Sequence, residues 1–288
     1  MDGKRFIRSI RLENLLSFGS PPVELELEPL NVLIGPNASG KSNLIEALSL
    51  LAAAPTDLKI PFRDGGGIRE WIWKGAASSS HAMIDVAVAL PADRTPLRYI
   101  LRFGELAGRF DLFGEAVDSQ PGGEANPGPE PFYAYLDGHG VVAGVRDALS
   151  GNPELAEQAM EMAGMARAGR VEVPVKVKRD ESVLSQLNDS ISYPELAYLA
   201  THFREFRLYR EWGLGRDSLV RRPQQADLTE DYLLEDASNL ALVVNDLENR
   251  SDTKGLIVER LRVVYPHVAD VTTKVQIRSD TRPRTGPP

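Results

Sequence analysis

The run Gly35-Pro36-Asn37-Ala38-Ser39-Gly40-Lys41-Ser42 constrains this chain more than any other feature. It fits the pattern Gly, four residues, Gly-Lys-Ser/Thr, and its flanks fit as well. A short apolar run, residues 30–34 (LNVLI), precedes it and reads as a buried parallel strand. Residues 41–54 follow, with Leu44, Ile45, Leu48 and Leu51 spaced as one helical face and Pro55 as the stop. Gly35 and Gly40 admit backbone angles that a Cβ forbids, so successive amides can turn inward around an anion. The amides of Asn37 to Ser42 and the start of the helix offer positive partial charge to phosphate oxygens. Lys41 can reach β- and γ-phosphates as a point charge, and the Ser42 hydroxyl can ligate Mg²⁺. A chance Gly/Ser-rich turn is the alternative, and the flanking strand and helix weigh against it.

Composition narrows the class. Of 288 residues, 42% are hydrophobic and 26% charged, which excludes global disorder and a fibrous repeat. No apolar run reaches eighteen residues, so no membrane span is expected, and residues 1–14 hold no uninterrupted apolar core for a secretion signal. Cys is absent, which removes disulfides, thiol nucleophiles and thiolate metal sites and fits a cytoplasmic protein. The four His (His81, His139, His202, His267) are scattered, which speaks against a His-based zinc site. The net charge of −8 argues against a nonspecific nucleic-acid coat.

Hydrophobic patterning divides the chain into four parts. Residues 1–62 form a phosphate-loop lobe, in which residues 5–12 and the strictly alternating 23–28 (VELELE) read as paired strands. Residues 63–181 read as an antiparallel β layer, with short strands at 81–90, 97–103, 109–113, 131–136 and 141–145 and a Gly/Pro-rich loop at 118–131. Residues 153–168 read as a helix there, and 171–177 alternate again. Residues 182–266 read as a helical arm, with helices over 194–212, 236–249 and 253–264. Residues 267–288 read as a short strand followed by a disordered tail. The fold class expected is α/β.

Residues 11–18 (RLENLLSF), the short acidic strand after them, and GPNASGKSN resemble the N-terminal lobe of ABC-type P-loop ATPases. Within that group the chain is similar to the RecF/SMC/OLD-like branch, and most of all to bacterial AAA family predicted ATPases. Asn43 directly after Lys-Ser and the ENLLSF turn carry the likeness, and residues 71–75 (WIWKG), 193–212 and 234–240 also look like segments of those proteins. The resemblance implies ATP and Mg²⁺ as cofactors. It implies a phosphate site of Gly35, Pro36, Asn37, Ala38, Ser39, Gly40, Lys41, Ser42 and Asn43, with Ser42 on the metal. It also implies ATP-driven pairing with a second copy or a second ATPase half, and work in DNA repair or phage defence. In such relatives the turn over residues 14–18 lies near the nucleotide. Many carry Arg or Lys where this chain has Leu16, so no charged contact is transferred to it.

A hydrolytic site of this type also needs an apolar strand ending in Asp-Glu and a Leu-Ser-Gly-type signature. Three stretches come near the pattern. Residues 132–137 (FYAYLD) are followed by Gly138, and Asp-Gly between apolar runs reads as a hairpin turn. Residues 242–246 (LVVND) have helical spacing, and Leu149-Ser150-Gly151 precedes Asn152-Pro153 as a helix cap or turn would. The expectation is therefore the nucleotide-binding half of an ATPase, with the polar shift at Arg278 favouring a truncated or frame-changed product. A non-hydrolysing ATP-binding interaction module is the alternative, and a transporter ATPase subunit the weaker one.

Two further clusters have bland readings. Arg204, Arg207, Arg210, Arg216, Arg221 and Arg222 lie among Phe203, Phe206, Tyr209 and Trp212; the interleaved acids favour a salt-bridged packed helix over a nucleic-acid contact. Trp71 and Trp73 bracket one residue and read as one face of a packed strand.

Overall fold

The computed structural model describes residues 5–75, 81–91, 94–119, 131–136, 139–143, 172–175, 177–187, 189–210, 213, 215–225, 227–250 and 253–274. The chain forms two compact units, Met1–Phe206 and Arg207–Pro288.

Alternating and apolar runs in the first unit build one eight-stranded antiparallel sheet. Its strands are β1 (Ile7–Glu13), β2 (Val23–Glu26), β3 (Ala82–Val88), β4 (Leu97–Leu106), β5 (Arg109–Ser119), β6 (Pro131–Leu136), β7 (His139–Ala143) and β8 (Glu172–Val175), in the order β2-β1-β3-β4-β5-β6-β7-β8. The strands expected in the phosphate-loop lobe and those of the antiparallel layer thus share a single sheet. Ile10 bridges the two groups, opposite Leu25 on one side and Val86 on the other. Every residue of β3, which pairs with β1 and β4, is buried. The β4–β5 hairpin turns on Ala107 (φ 50°) and Gly108 (φ 81°), the two positive angles that a tight primed turn requires. β6 pairs β7 antiparallel with Leu136 opposite His139, while residues 137 and 138, where the sequence indicated a turn, lie outside the described residues.

Helices α1 (Lys41–Ala53), α2 (Ile60–Asp64), α3 (Ile68–Trp71), α4 (Val183–Gln186) and α5 (Pro194–Arg204) close the core. Leu44, Leu50 and Leu51 of α1 and Leu196, Leu199 and Phe203 of α5 are buried with Ile84, Val86, Tyr99, Leu101 and Phe103 of the sheet. Burying side chains of this size is the main favourable term, at roughly 2 kcal/mol each. Trp71 is at the end of α3 and buried against Phe62, not on a strand; only the core role of the Trp pair holds for it. The helix expected over 194–212 ends at Arg204. The chain then leaves helical geometry, with the Glu205 amide closing on the His202 and Phe203 carbonyls.

Residues 30–34 correct the expectation of a buried parallel strand. They have no strand assignment, and Leu30, Val32 and Ile34 are 83%, 74% and 90% exposed. The cause is local. After β2, Asn31 accepts the Glu28 amide at 2.9 Å and donates to the Glu28 carbonyl at 2.6 Å, a turn over residues 28–31 that takes in the start of the apolar run.

A buried carboxylate ties α4 to the sheet. Glu115 of β5 accepts hydrogen bonds from the Tyr99 hydroxyl (2.7 Å), the Ser182 hydroxyl (2.5 Å) and the Val183 amide (2.7 Å). Ser182 is also the N-cap of α4, accepting the Leu184 amide at 3.1 Å.

In the second unit, α6 (Leu240–Asn249) and α7 (Thr253–Val264) follow a turn organised by Asn239. The fully buried Asn239 amide donates to the Thr229 and Tyr232 carbonyls at 2.7 Å each and accepts the Leu234 amide at 2.8 Å. That turn occupies the first residues of the helix expected from 236. Residues 242–246 are helical as read, with Asp246 paired to Arg250 at 2.6 Å. The expected helix at 153–168, the stretch 149–151, residues 120–130 and the tail from 278 lie outside the described residues.

Candidate phosphate-binding site

Residues 35–43 run from the exposed segment 30–34 into α1. Two backbone positions give the loop its curl: Ala38 at φ 64° and Gly40 at φ 90°, both left-handed. Gly40 is the N-cap of α1; no side chain caps that helix and its first turn contains no acid. The amides that begin α1 are therefore left with their partial positive charge toward the loop. A methyl at Gly35 would stand 2.9 Å from the Ser39 hydroxyl, so a Cβ there would crowd the concave side of the loop.

Lys41 folds back over this loop. Its ammonium donates to the Gly35 carbonyl (2.8 Å), the Pro36 carbonyl (2.6 Å) and the Ser39 hydroxyl (3.2 Å). The cation thus already sits at the loop mouth, where phosphate oxygens would replace the carbonyls. Ser42, in the first turn of α1, is exposed and free to face a metal, and Asn43 is half-buried beside it. The uncapped helix start, the left-handed curl and the poised ammonium fit the phosphates of ATP; the exposed Ser42 hydroxyl fits Mg²⁺ held chiefly by phosphate oxygens and water. Among the described residues, no group of three His, Asp or Glu gathers to hold a metal by itself.

The turn between β1 and β2 leans on this loop. It is tightly built, with Asn14 (φ 51°) and Leu16 (φ 54°) left-handed and reciprocal bonds between Leu15 and Phe18 at 2.9 and 2.8 Å. Leu16 packs on the core, in keeping with the absence of a charge there. The Ser17 hydroxyl stands 2.7 Å, and the Phe18 ring 3.9 Å, from the point a Gly40 Cβ would occupy. Only glycine at 40 allows this approach. Sequence pattern located the loop and this turn but gave no sign of what supports them.

Part of the Arg/aromatic cluster is in packing contacts, whereas Arg216, Arg221 and Arg222 are exposed and Trp212 lies outside the described residues. Phe203 and Phe206 stand edge-on to Phe6 at 6.2 and 5.9 Å, and Arg204 donates to the Pro55 carbonyl at 3.0 Å. In the second unit Arg207 lies over the Tyr232 ring at 4.4 Å, and the Leu208 amide donates to Glu235 at 2.7 Å.

Comparison with known proteins finds likenesses in sequence. Residues 30–123 match the family model described as "AAA domain, putative AbiEii toxin, Type IV TA system". The chain is 35% identical over 100 residues to the DNA replication and repair protein RecF of Gloeobacter violaceus, covering 35% of this chain and 24% of that protein. It is 26% identical over 290 residues to the chromosome partition protein Smc of Mycolicibacterium paratuberculosis, covering 96% of this chain and 22% of that protein. A solved SMC ATPase, from work on ATP-driven dimerization and DNA-stimulated activation, aligns with 38% of this chain and 69% of its own at 19% identity and a TM-score of 0.30. The chain spans about a quarter of the length of the curated relatives it matches. By these likenesses residues 30–123 are similar to an AAA domain, and the chain is similar to parts of RecF and Smc proteins.

Proposed function

We propose that this chain is the nucleotide-binding portion of a RecF/SMC-like ATPase, binding Mg·ATP through Gly35, Pro36, Asn37, Ala38, Ser39, Gly40, Lys41, Ser42 and Asn43. One observation carries the reading: a left-handed loop at an uncapped helix start with the Lys41 ammonium held at its mouth. The loop amides bind and orient the phosphates, Lys41 neutralises them, and the Ser42 hydroxyl is offered to the metal. Mg²⁺ would neutralise charge between the β- and γ-phosphates. Groups that orient water and complete hydrolysis come from a second ATPase half or a second copy, joined when ATP is bound. The work is DNA-associated and cytoplasmic, in repair or in defence against foreign DNA; the names of the RecF and Smc relatives support the DNA part. Among the described residues no helix is long and apolar enough to cross a membrane.

Equilibrium binding of a fluorescent nonhydrolysable ATP analogue, measured beside turnover, tests the proposal. Saturable, Mg²⁺-dependent binding that Lys41→Ala removes is expected, with little turnover by this chain alone. Binding indifferent to Lys41→Ala would end the nucleotide assignment. Turnover that survives stringent purification and disappears in Lys41→Ala would show a complete site.

A further inference from the structure

We propose that Trp73 is a positioning residue for the phosphate loop, acting through the turn over residues 14–19; this rests on the nucleotide reading above. The segment after α3 is stitched to that turn by two backbone hydrogen bonds, Leu16 amide to Trp71 carbonyl (2.7 Å) and Trp73 amide to Asn14 carbonyl (3.0 Å). Leu15 and Ile72 form a β-bridge between them. The Trp73 indole then fills the space between two glycines. A Cβ at Gly19 would meet the ring at 2.9 Å, and one at Gly75 would meet it at 2.6 Å. Both glycines are thus in close contact with one aromatic face or edge, and neither could carry a side chain without moving the ring. The opposite side of the turn presents Ser17 and Phe18 to Gly40.

The resulting chain of contacts runs Trp73, Gly19, Ser17, Gly40. Gly40 is the residue whose left-handed angle starts α1, and its carbonyl accepts the Leu44 amide at 3.0 Å. Trp71 is anchored in the core against Phe62, so the segment that carries Trp73 has a fixed base. Rigid packing of this kind passes a displacement on instead of absorbing it. Removing the indole leaves the turn free to retreat, and Gly40 loses the surface that holds its angle. The loop amides then lose their common focus on the phosphates.

The test compares wild type, Trp73→Ala, Trp73→Phe and Gly19→Ala by amide hydrogen exchange without nucleotide and by equilibrium binding of Mg·ATP analogue. Gly19→Ala pushes the turn from the ring side and serves if Trp73→Ala fails to fold. Both variants are expected to speed exchange at Leu16, Phe18 and Leu44, while the Ala54 amide, bonded at the far end of α1, keeps its wild-type rate. Both should weaken binding about tenfold, the loss of one well-placed hydrogen bond to a charged group. Trp73→Phe should recover part of it. The effects of Trp73→Ala and Ser17→Gly should not add, because each breaks the same chain of contacts. Unchanged exchange at Leu44 in folded variants would overturn the proposal, as would affinity within twofold of wild type. Wild type that binds no nucleotide, with exchange still altered at Leu44, would instead remove the nucleotide reading and leave the support intact.

Discussion

Glu115 provides a stability switch whose sign can be worked out. It is 2% exposed, and burial pushes its carboxyl up to about 7 from an ordinary 4.5, against the opposing pull of hydrogen bonds from Ser182, Val183 and Tyr99. A carboxyl that is a weaker acid in the folded chain draws protons into the folded state. Between 4.5 and about 7 the folded chain keeps a proton that the unfolded chain has released, so raising the pH across that interval lowers stability. Above it both states are ionised and the loss is complete. The interval corresponds to on the order of 3 kcal/mol. Urea unfolding followed by Trp emission, at about pH 5 and about pH 8, reads this directly. Glu115→Gln removes the titration and should flatten the difference between the two conditions. A residual slope of the same sign is expected from Asp118, whose carboxyl burial raises to about 6 from 3.8. If Glu115→Gln kept the wild-type slope, or if wild type gained stability across the interval while the variant did not, the reasoning would be refuted.

Three other outcomes follow from packing and charge. Leu50→Ala opens a fully buried position on α1 and should cost roughly 3 kcal/mol in thermal or urea unfolding. Arg98 grips Asp85 through two bonds of 2.9 and 2.6 Å across β3 and β4; Arg98→Met leaves that buried carboxylate alone and should cost about 2 kcal/mol, and Arg98→Lys, which cannot reproduce the fork, less than that but more than nothing. Val32→Lys should change the stability of this chain by no more than about 0.5 kcal/mol, since the side chain faces solvent; a cost several times larger would show the segment to be buried.

The sheet was largely legible because alternation is a local signal. Residues 81–90, 97–103 and 109–113 each announce a strand, and the antiparallel pairing of β6 with β7 agrees with apolar runs separated by a turn signal. Helix α1 was readable from Leu44, Ile45, Leu48 and Leu51 and from the Pro55 stop, although Ile45 is exposed and falls outside the buried face. Residues 30–34 were misread because apolarity measures a preference for burial but supplies no neighbour: the strand form needs pairing on its edges, and among the described residues the run has none. Over 205–210 the helical spacing of Phe203, Phe206 and Tyr209 was overridden by tertiary partners, with the Tyr209 hydroxyl donating to the Leu233 carbonyl at 2.6 Å. Periodicity cannot see such a partner. Nor could it find Trp73, whose importance rests on two glycines far apart in sequence, Gly19 and Gly75.

The loop itself shows why a nine-residue motif says so much with so little packing. Residues 31–39 are exposed, so little burial holds them, and their conformation must come from the backbone and from internal polar contacts. Ala38 and Gly40 set the curl, and the Lys41 ammonium closes it by taking the Gly35 and Pro36 carbonyls. The cation that will meet the phosphates thus also shapes the loop without them. When phosphate oxygens replace those carbonyls, bonds between ion and dipole give way to bonds between opposite charges, which are stronger, while the released carbonyls turn to water at small cost because they are already at the surface. Much of the ordering needed for binding is therefore present beforehand, which is the condition for a small exposed loop to hold a highly charged ligand.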